Sequence, residues 1–425
     1  MLDLKLVRER PELIRSDLEK RAAADKLALL EKIIALDKEW RRVFDGTNRL
    51  RHERNEIAKM VAEIKRKGGD AEELLARAQA LPSEIAAAEE KLNALRIEMD
   101  QGLLRLPNLL HESVPVGKDE SENIEVRRWG SPKVPDFELK SHGEIAEALG
   151  GADFERARKV SGTGFAYLTG DLALLEQALV IYATEFMIAK GYTLVQPPLL
   201  MRRKPYEGVV DLADFESVMY KIEGEDLYLI ATSEHPMGAL YMDEIIEEER
   251  LPIKLAGVST CFRREIGAHG VDTRGLFRMH QFNKVEQFVF CTPETSWEMH
   301  EELISNIEGI FQGLDIPHRV VNVCTGDIGT VAAKKYDLEG WSPRQQKYVE
   351  MGSCSNCTDY QARRLRIRCG KVGGEKRVLH TLNSTALATS RALVVLLEHY
   401  QNEDGSITVP EVLRKYMSGR TKIGP

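Results

Sequence analysis

FRREIGAHGVDTRGLFRMHQF, residues 262–282, is the stretch on which the reading of this chain turns. It sets two cations, Arg263 and Arg264, beside Glu265. A loop with Gly267, Gly270 and Gly275 follows, and then a second apolar run that carries Arg278 and His280. IKLAGVSTCF before the loop and LFRMHQFNKVEQFVFC after it both read as strands, rich in β-branched and aromatic residues. Paired as a long hairpin, they bring Arg263 and Arg278 to one place. A guanidinium is a planar, permanently charged fork that suits phosphate or carboxylate oxygens. Glu265 accepts hydrogen bonds and suits an exocyclic amine, and Phe282, two residues past His280, suits stacking on a base. A surface hairpin laced with salt bridges is the plain alternative.

Around this stretch the pattern mixes helices and strands. EQALVIYATEFMIAKGYTLVQPPLL predicts an amphipathic helix, a stop at Gly191, and a strand ending at Pro197-Pro198. DLYLIA and HRVVNVCTG read as further strands, and TALATSRALVVLLEHYQ as a helix capped from Asn383-Ser384-Thr385. The strands follow one another too closely for a doubly wound parallel sheet, so the fold class is α+β, a mostly antiparallel sheet flanked by helices. Three more constellations carry chemistry. Thr232-Ser233-Glu234 could hold an ammonium group, although the residues after it read as a helix, which makes a capping role the simpler reading. Glu350-Met351-Gly352-Ser353 offers a carboxylate and a hydroxyl that together suit Mg²⁺ shared with phosphates. Thr385 and Arg391 sit at the start of the predicted helix, where its dipole favours anions. Cys354-x-x-Cys357 has no second pair at zinc spacing, so no structural zinc is expected and Cys354 reads as packed inside. His280 and His380 read as structural or hydrogen-bonding.

The N-terminal quarter differs from the rest. Ile33, Leu36, Trp40, Val43, Thr47, Leu50, Arg54, Ile57, Val61 and Ile64 recur at alternating steps of three and four. Leu74, Ala78, Leu81, Ile85, Ala88, Leu92, Leu95 and Met99 repeat the pattern beyond Lys67-Gly68-Gly69-Asp70. These are coiled-coil seams on two helices joined by a glycine turn, an antiparallel hairpin about 50 Å long. Pro82 is expected to kink the second helix. Residues 31–67 carry 11 Lys/Arg and 7 Asp/Glu, whereas 70–100 carry 3 and 8, so the helices have opposite charge. The first presents Arg41, Arg42, Arg49, Arg51, Arg54, Lys59, Lys65, Arg66 and Lys67. Its spacing fits a solvated spacer or dimerisation rod as well as a nucleic-acid contact.

The 425 residues are 43% hydrophobic and 30% charged, enough for more than one sizeable domain. A net charge of −8 excludes a uniformly basic coat but not a local patch for a polyanion. Six cysteines in so long a chain do not make a disulfide framework. The N-terminus lacks an apolar signal core and no run of about 18 apolar residues occurs, so a cytoplasmic protein is expected.

Taken together, these stretches resemble the class II aminoacyl-tRNA synthetases, and within them the seryl-tRNA synthetase family. GYTLVQPPLL resembles the first class II motif, the opening stretch the second, and LNSTALATSRALVVLLEHYQ with Arg391 the third. TSE at 232–234, CFRRE, DTRG, HQFNKVEQF, SCSNCTDYQARR and HTLNS resemble that family's own phrases, and it too carries an N-terminal helical arm. The resemblance covers nearly the whole chain. It implies a tRNA-binding domain over 1–108 with its arm at about 27–105, a linker over 109–135, and a catalytic domain over 136–425. The motifs then fall near 175–200, 255–290 and 380–400.

It also implies a reaction: serine and ATP give seryl-adenylate and pyrophosphate, and serine then passes to the 3′ end of tRNA(Ser), with tRNA(Sec) as a second acceptor. Arg263 and Arg391 become catalytic. ATP falls to Arg263, Arg264, Glu265, Arg278, Met279, Phe282, Glu350, Met351, Gly352, Ser353 and Arg391, with Mg²⁺ on Glu350 and Ser353. Serine falls to Thr232, Ser233, Glu234, Glu286 and Thr385. Arg41, Arg42, Arg49, Arg51 and Arg54 face tRNA, whose long variable arm the coiled coil grips across a homodimer. The loop tip Ala268-His269-Gly270-Val271 is expected to order only with substrate.

Two positions depart from the family pattern. Asn383-Ser384-Thr385-Ala386 replaces an Asn-Gly-Ser-Gly turn and keeps a hydroxyl at Thr385, and Ile266 replaces a small residue. A carrier-protein amino-acid ligase on the same catalytic domain would lack the long arm. A catalytically dead RNA-binding paralogue would not need Arg263, Glu265, Arg278, Glu350 and Arg391 together.

Overall fold

The computed structural model describes residues 1–212, 216–265, 275–371 and 373–424. Its chain divides into two compact units, Met1–Leu106 and Pro107–Pro425. The loop tip Ala268–Val271 and Ile266 lie outside the described residues.

The first unit is helical: α1 (Leu4–Glu9), α2 (Pro11–Lys20), α3 (Ala24–Arg66) and α4 (Glu72–Arg105). The ion pairs Lys32–Glu98, Lys91–Glu39 and Arg77–Glu53 climb one long helix while descending the other, so α3 and α4 are antiparallel. Between them Gly68 takes φ +72°, a backbone state that glycine reaches without a Cβ clash. Ile33, Thr47 and Ile57 on α3 and Leu81, Ile85 and Met99 on α4 are buried at the seam. The Thr47 hydroxyl donates to the Val43 carbonyl at 2.8 Å, which satisfies a polar group inside the coil. Arg54 departs from the heptad reading: it is exposed, and half-buried Glu53 accepts from Arg77 at 2.7 Å there instead. α4 continues through Pro82 as one element rather than breaking at it.

The second unit is built on eight strands: β1 (Ile124–Trp129), β2 (Thr193–Val195), β3 (Ile253–Phe262), β4 (Gln281–Cys291), β5 (His318–Asn322), β6 (Lys334–Ser342), β7 (Lys347–Asn356) and β8 (His380–Ala388). They lie in the order β1-β5-β6-β7-β8-β4-β3-β2, and every pairing is antiparallel except β2 with β3. The helices that matter here are α5 (Gly170–Ala189), α6 (Glu234–Gly238), α7 (Ser296–Gly313) and α8 (Thr389–His399). Apolar residues of α5, α7 and α8 close one core over Val285 and Val289 of β4. Phe288 and Phe290, on the other face of the same strand, belong to a second core with Tyr206, Tyr228 and Met237. The period of two along β4 thus serves both cores at once.

Several boundaries differ from the sequence reading. β4 begins at Gln281, so Arg278 lies in the irregular segment before the strand and not within it. Asn383–Thr385 belong to β8 rather than to a helix cap, and α8 begins only at Thr389. β8 is buried in the sheet, where residues 382–384 pair with both β7 and β4 and pairing with β4 continues to Ala388, which outweighs the helix preference of its alanines and leucines. α6 stops at Gly238, five residues in. Residues 124–129, read as linker, form the edge strand β1. α5 is apolar on nearly all sides rather than amphipathic, and it is long and apolar enough to cross a membrane by length and composition. Here it packs Leu172, Leu175, Leu179, Ala183 and Met187 into the main core.

In the first unit, buried Asp37 accepts from Arg8 at 3.0 and 2.6 Å and pairs with Arg41 at 3.0 Å. Asp37→Ala should therefore destabilise residues 1–106 by about 1–2 kcal/mol. Hydrogen exchange should quicken in α1 and α3 and stay unchanged beyond residue 107.

Candidate active site

The polar half of β4 faces a cavity of about 290 Å³. Phe282, Lys284 and Glu286 are two apart on the strand, share one face, and all line it. In register, Glu286 lies opposite Gly257 of β3 and Thr385 of β8. A Cβ on Gly257 would come within 2.7 Å of the Met237 side chain and 2.9 Å of Ser233, so glycine there lets the 232–234 segment approach the sheet. Thr232 accordingly reaches Glu286, its hydroxyl donating at 3.5 Å. Lys284 forms an ion pair with Glu286, and both are buried. Burial pushes the Glu286 carboxyl above its ordinary range, against the pull of Lys284. Glu234 accepts from Gln361 at 3.2 Å. Burial, reinforced by Glu286, pushes its carboxyl up to about 7. The floor of the cavity therefore offers two carboxylates, two hydroxyls and an ammonium to a small polar ligand.

The mouth carries three arginines. Arg391, in the first turn of α8, donates to the Glu350 carbonyl at 2.8 Å and pairs with its carboxylate at 2.9 Å. Arg278 lies 3.7 Å from Glu265. Arg263 has no carboxylate partner among the described residues. Its Nε donates to the Ala231 carbonyl at 3.1 Å and its guanidinium lies 5.4 Å from the centre of the Phe282 ring. Arg263 is thus the cavity cation best placed to receive an added anion.

Glu350 and Ser353 are three apart, which on a regular strand puts them on opposite faces. The register of β7 against β6 jumps from Gly352 to Glu350 and leaves Met351 unpaired, a β-bulge. The bulge turns both side chains into the cavity, with Met351 and Gly352 also lining it. Carboxylate and hydroxyl oxygens are a hard donor set, the kind that Mg²⁺ takes.

Of the residues expected at the site, Thr232, Glu234, Arg263, Glu265, Arg278, Met279, Phe282, Glu286, Glu350, Met351, Gly352, Ser353, Thr385 and Arg391 line this one cavity. Ser233 does not: it is buried and its hydroxyl donates to the Gly257 carbonyl at 3.2 Å, pinning α6 to β3. Arg264 is also outside the lining, and its backbone N–H donates to Val218. Sequence reasoning missed Lys284, although its place midway between Phe282 and Glu286 was the available signal. It also missed Phe277, whose ring lies 5.8 Å from the Arg391 guanidinium, and His235, a lining residue that burial keeps neutral and that contacts the Tyr206 hydroxyl at 2.8 Å. His280 pairs with the Tyr220 hydroxyl and stacks on Phe165, and His380 contacts Ser296 at 2.9 Å. All six cysteines are buried free thiols, and among the described residues no three His, Cys, Asp or Glu side chains cluster as metal ligands.

On the arm, Arg41, Arg42 and Arg51 pair with Asp37, Glu39 and Glu89 at 3.0, 2.7 and 2.7 Å. Arg49 and Arg54 are exposed and form no ion pair among the described residues.

Residues 1–110 match the family model for the seryl-tRNA synthetase N-terminal domain, and residues 218–400 match that for the class II tRNA synthetase core domain (G, H, P, S and T). The chain is 56% identical to a serine–tRNA ligase of Methanoculleus marisnigri over 421 residues, 99% of each protein. Among solved structures, it superposes on seryl-tRNA synthetase from Pyrococcus horikoshii complexed with ATP at a TM-score of 0.97, 48% identical, over all of both chains. Cytoplasmic serine–tRNA ligase from Naegleria fowleri in complex with AMP gives 0.92 at 38% identity, over 100% of this chain and 99% of the other. The chain belongs to the seryl-tRNA synthetase family.

The Lys284–Glu286 pair yields a test that needs no substrate. Lys284 is the strongest influence drawing Glu286 down against burial. Lys284→Met removes that pull and should drive the Glu286 carboxyl further up, so that it binds a proton at higher pH. Carboxyl ¹³C NMR titration should show the Glu286 midpoint moving upward, together with that of Glu234, which Lys284 also draws down.

Proposed function

We propose that the cavity activates L-serine with ATP and that the chain is a serine–tRNA ligase, forming seryl-adenylate and then seryl-tRNA(Ser). The observation that carries this is the juxtaposition of buried Glu286, touched by Thr232 and Lys284, with a mouth whose Arg263 has no carboxylate partner among the described residues. Glu286 and Thr385 accept from and donate to the serine hydroxyl. A ligand without that hydroxyl leaves an acceptor site on buried Glu286 and the Thr385 hydroxyl unfilled, which disfavours alanine. Thr232 and ionised Glu234 hold the serine ammonium. Ser233 supports them from behind, through its bond to Gly257.

ATP enters over Phe282, whose ring stacks on adenine, with Glu265 accepting from the adenine amine and Met279 and Met351 packing around it. A serine carboxylate oxygen attacks the α-phosphorus, the bond to the bridging oxygen breaks, and pyrophosphate leaves with the electron pair. Arg263 neutralises the charge that grows on the α-phosphate, while Arg278 and Arg391 hold the γ-phosphate. Arg264 acts at the edge of this group. Glu350 and Ser353 are the residues that would hold Mg²⁺ against the phosphates beside Gly352, and the ion supplies charge neutralisation there. The attacking carboxylate needs no general base, so catalysis is positioning and electrostatics.

The tRNA contact falls to Arg41, Arg42, Arg49, Arg51 and Arg54 on the arm. The long variable arm that tRNA(Ser) and tRNA(Sec) share makes both substrates. A homodimer across the first motif accords with three exposed apolar side chains on and beside it, Ile181 and Ile188 on α5 and Leu194 on the edge strand β2.

Arg263→Ala should abolish serine-dependent ATP–pyrophosphate exchange while circular dichroism and gel filtration stay those of the parent; retained exchange contradicts the assigned role. The proton affinity of Glu234 gives a pH test. Its folded value, about 7, means that the ammonium-binding form is lost as pH falls through 7. KM for serine should rise about tenfold per pH unit below that point, and Glu234→Gln should give a high, flat profile.

A further inference from the structure

On α3, Arg41, Phe44, Asn48, Arg51 and Asn55 recur at steps of three and four and so form one stripe along the helix, beside the buried seam. Phe44 is 39% exposed, and its ring stacks on that of Trp40 with centroids 5.0 Å apart and planes 13° from parallel. Asn48 and Asn55 are exposed, and neither carboxamide engages another group among the described residues. The two asparagines do not serve the helix, and Phe44 gains from its stack on Trp40 only what an i,i+4 pair gives, about 0.2–0.5 kcal/mol. Asparagine and phenylalanine each rank about 0.5 kcal/mol below alanine in helix propensity, and an exposed ring is poorly solvated. Arg41 and Arg51 stand about 15 Å apart along the axis and keep 53% and 46% of their side chains exposed. Each has one contact with a carboxylate, Asp37 or Glu89, and retains free N–H donors.

We propose that this stripe reads RNA bases. Phe44, backed by Trp40, stacks on an unpaired nucleobase. Asn48 and Asn55 hydrogen-bond base edges, and Arg41 and Arg51 hold the phosphates on either side. A protein partner fits less well, because the stripe presents one large apolar side chain and a helix groove requires several. An aromatic platform, amides and guanidiniums are the set that recognises unstacked RNA bases. The inference rests on the reading of the arm as the tRNA contact and adds base reading to backbone recognition.

The test uses the full-length chain. Phe44→Leu keeps apolar bulk and improves helix propensity but removes the ring. It should raise KM for a tRNA(Ser) transcript in serine charging by about 5- to 150-fold, the range set by one base stack of about 1–3 kcal/mol. Phe44→Tyr should behave as the parent, and both variants should retain serine-dependent ATP–pyrophosphate exchange. Chemical probing should find one nucleobase protected by the parent and exposed with Phe44→Leu. An unchanged KM in Phe44→Leu overturns the proposal. Arg49→Ala with Arg54→Ala, off the stripe, separates the two readings. If that pair raises KM and Phe44→Leu does not, the arm binds tRNA without the stripe; if neither does, the reading of the arm fails as well.

Discussion

The buried pairing of Lys284 with Glu286 on β4 is the constraint on which the site depends. Taking two charges out of water costs several kcal/mol per ion before their attraction repays it. A strand serving stability alone would carry apolar residues at these positions, as β4 does two and four residues later with Phe288 and Phe290. The pair is held because β3 and β8 flank it with Gly257 and Thr385, a residue without a side chain and one with a hydroxyl. The same face of one strand thus runs from the Phe282 ring through an ammonium and a carboxylate to the floor of a hydrophobic core. Small changes in this register would dissolve the site, since a shift of one residue turns every side chain to the other face.

The mouth is arranged differently. Glu350 pairs with Arg391 and Glu265 with Arg278, and among the described residues Arg263 has no acidic partner. In the proposed function, incoming phosphates would meet Arg263 first and then compete with Glu350 and Glu265 for Arg391 and Arg278. The bulge at Met351 is what allows Glu350 and Ser353 to line the cavity together.

Much of this was legible in the sequence. The steps of three and four from Ile33 to Ile64 and from Leu74 to Met99 fixed the helical hairpin, because burial on one side of a helix leaves no other period. The clustering of Arg263, Glu265, Arg278, Glu350 and Arg391 followed from the motif resemblance. What the sequence hid depends on tertiary context. TALA at 385–388 reads as helix by propensity, yet its backbone pairs with β4. Nothing local announces the unpaired Met351, and the burial of Lys284 shows only when its alternation with Phe282 and Glu286 is set against a buried sheet. Ser233 proved to be scaffold for the same reason: its hydroxyl is taken by Gly257, a partner 24 residues away.

The central claim is that Glu286 reads a serine hydroxyl beside a phosphate-binding mouth. ATP–pyrophosphate exchange measured with each of the twenty amino acids, on the parent and on Glu286→Ala, tests it most directly. The account predicts exchange with serine far above all others in the parent and loss of the preference for serine over alanine in the variant. Equal exchange with several amino acids in the parent, or an unchanged serine-to-alanine ratio in Glu286→Ala, would contradict it.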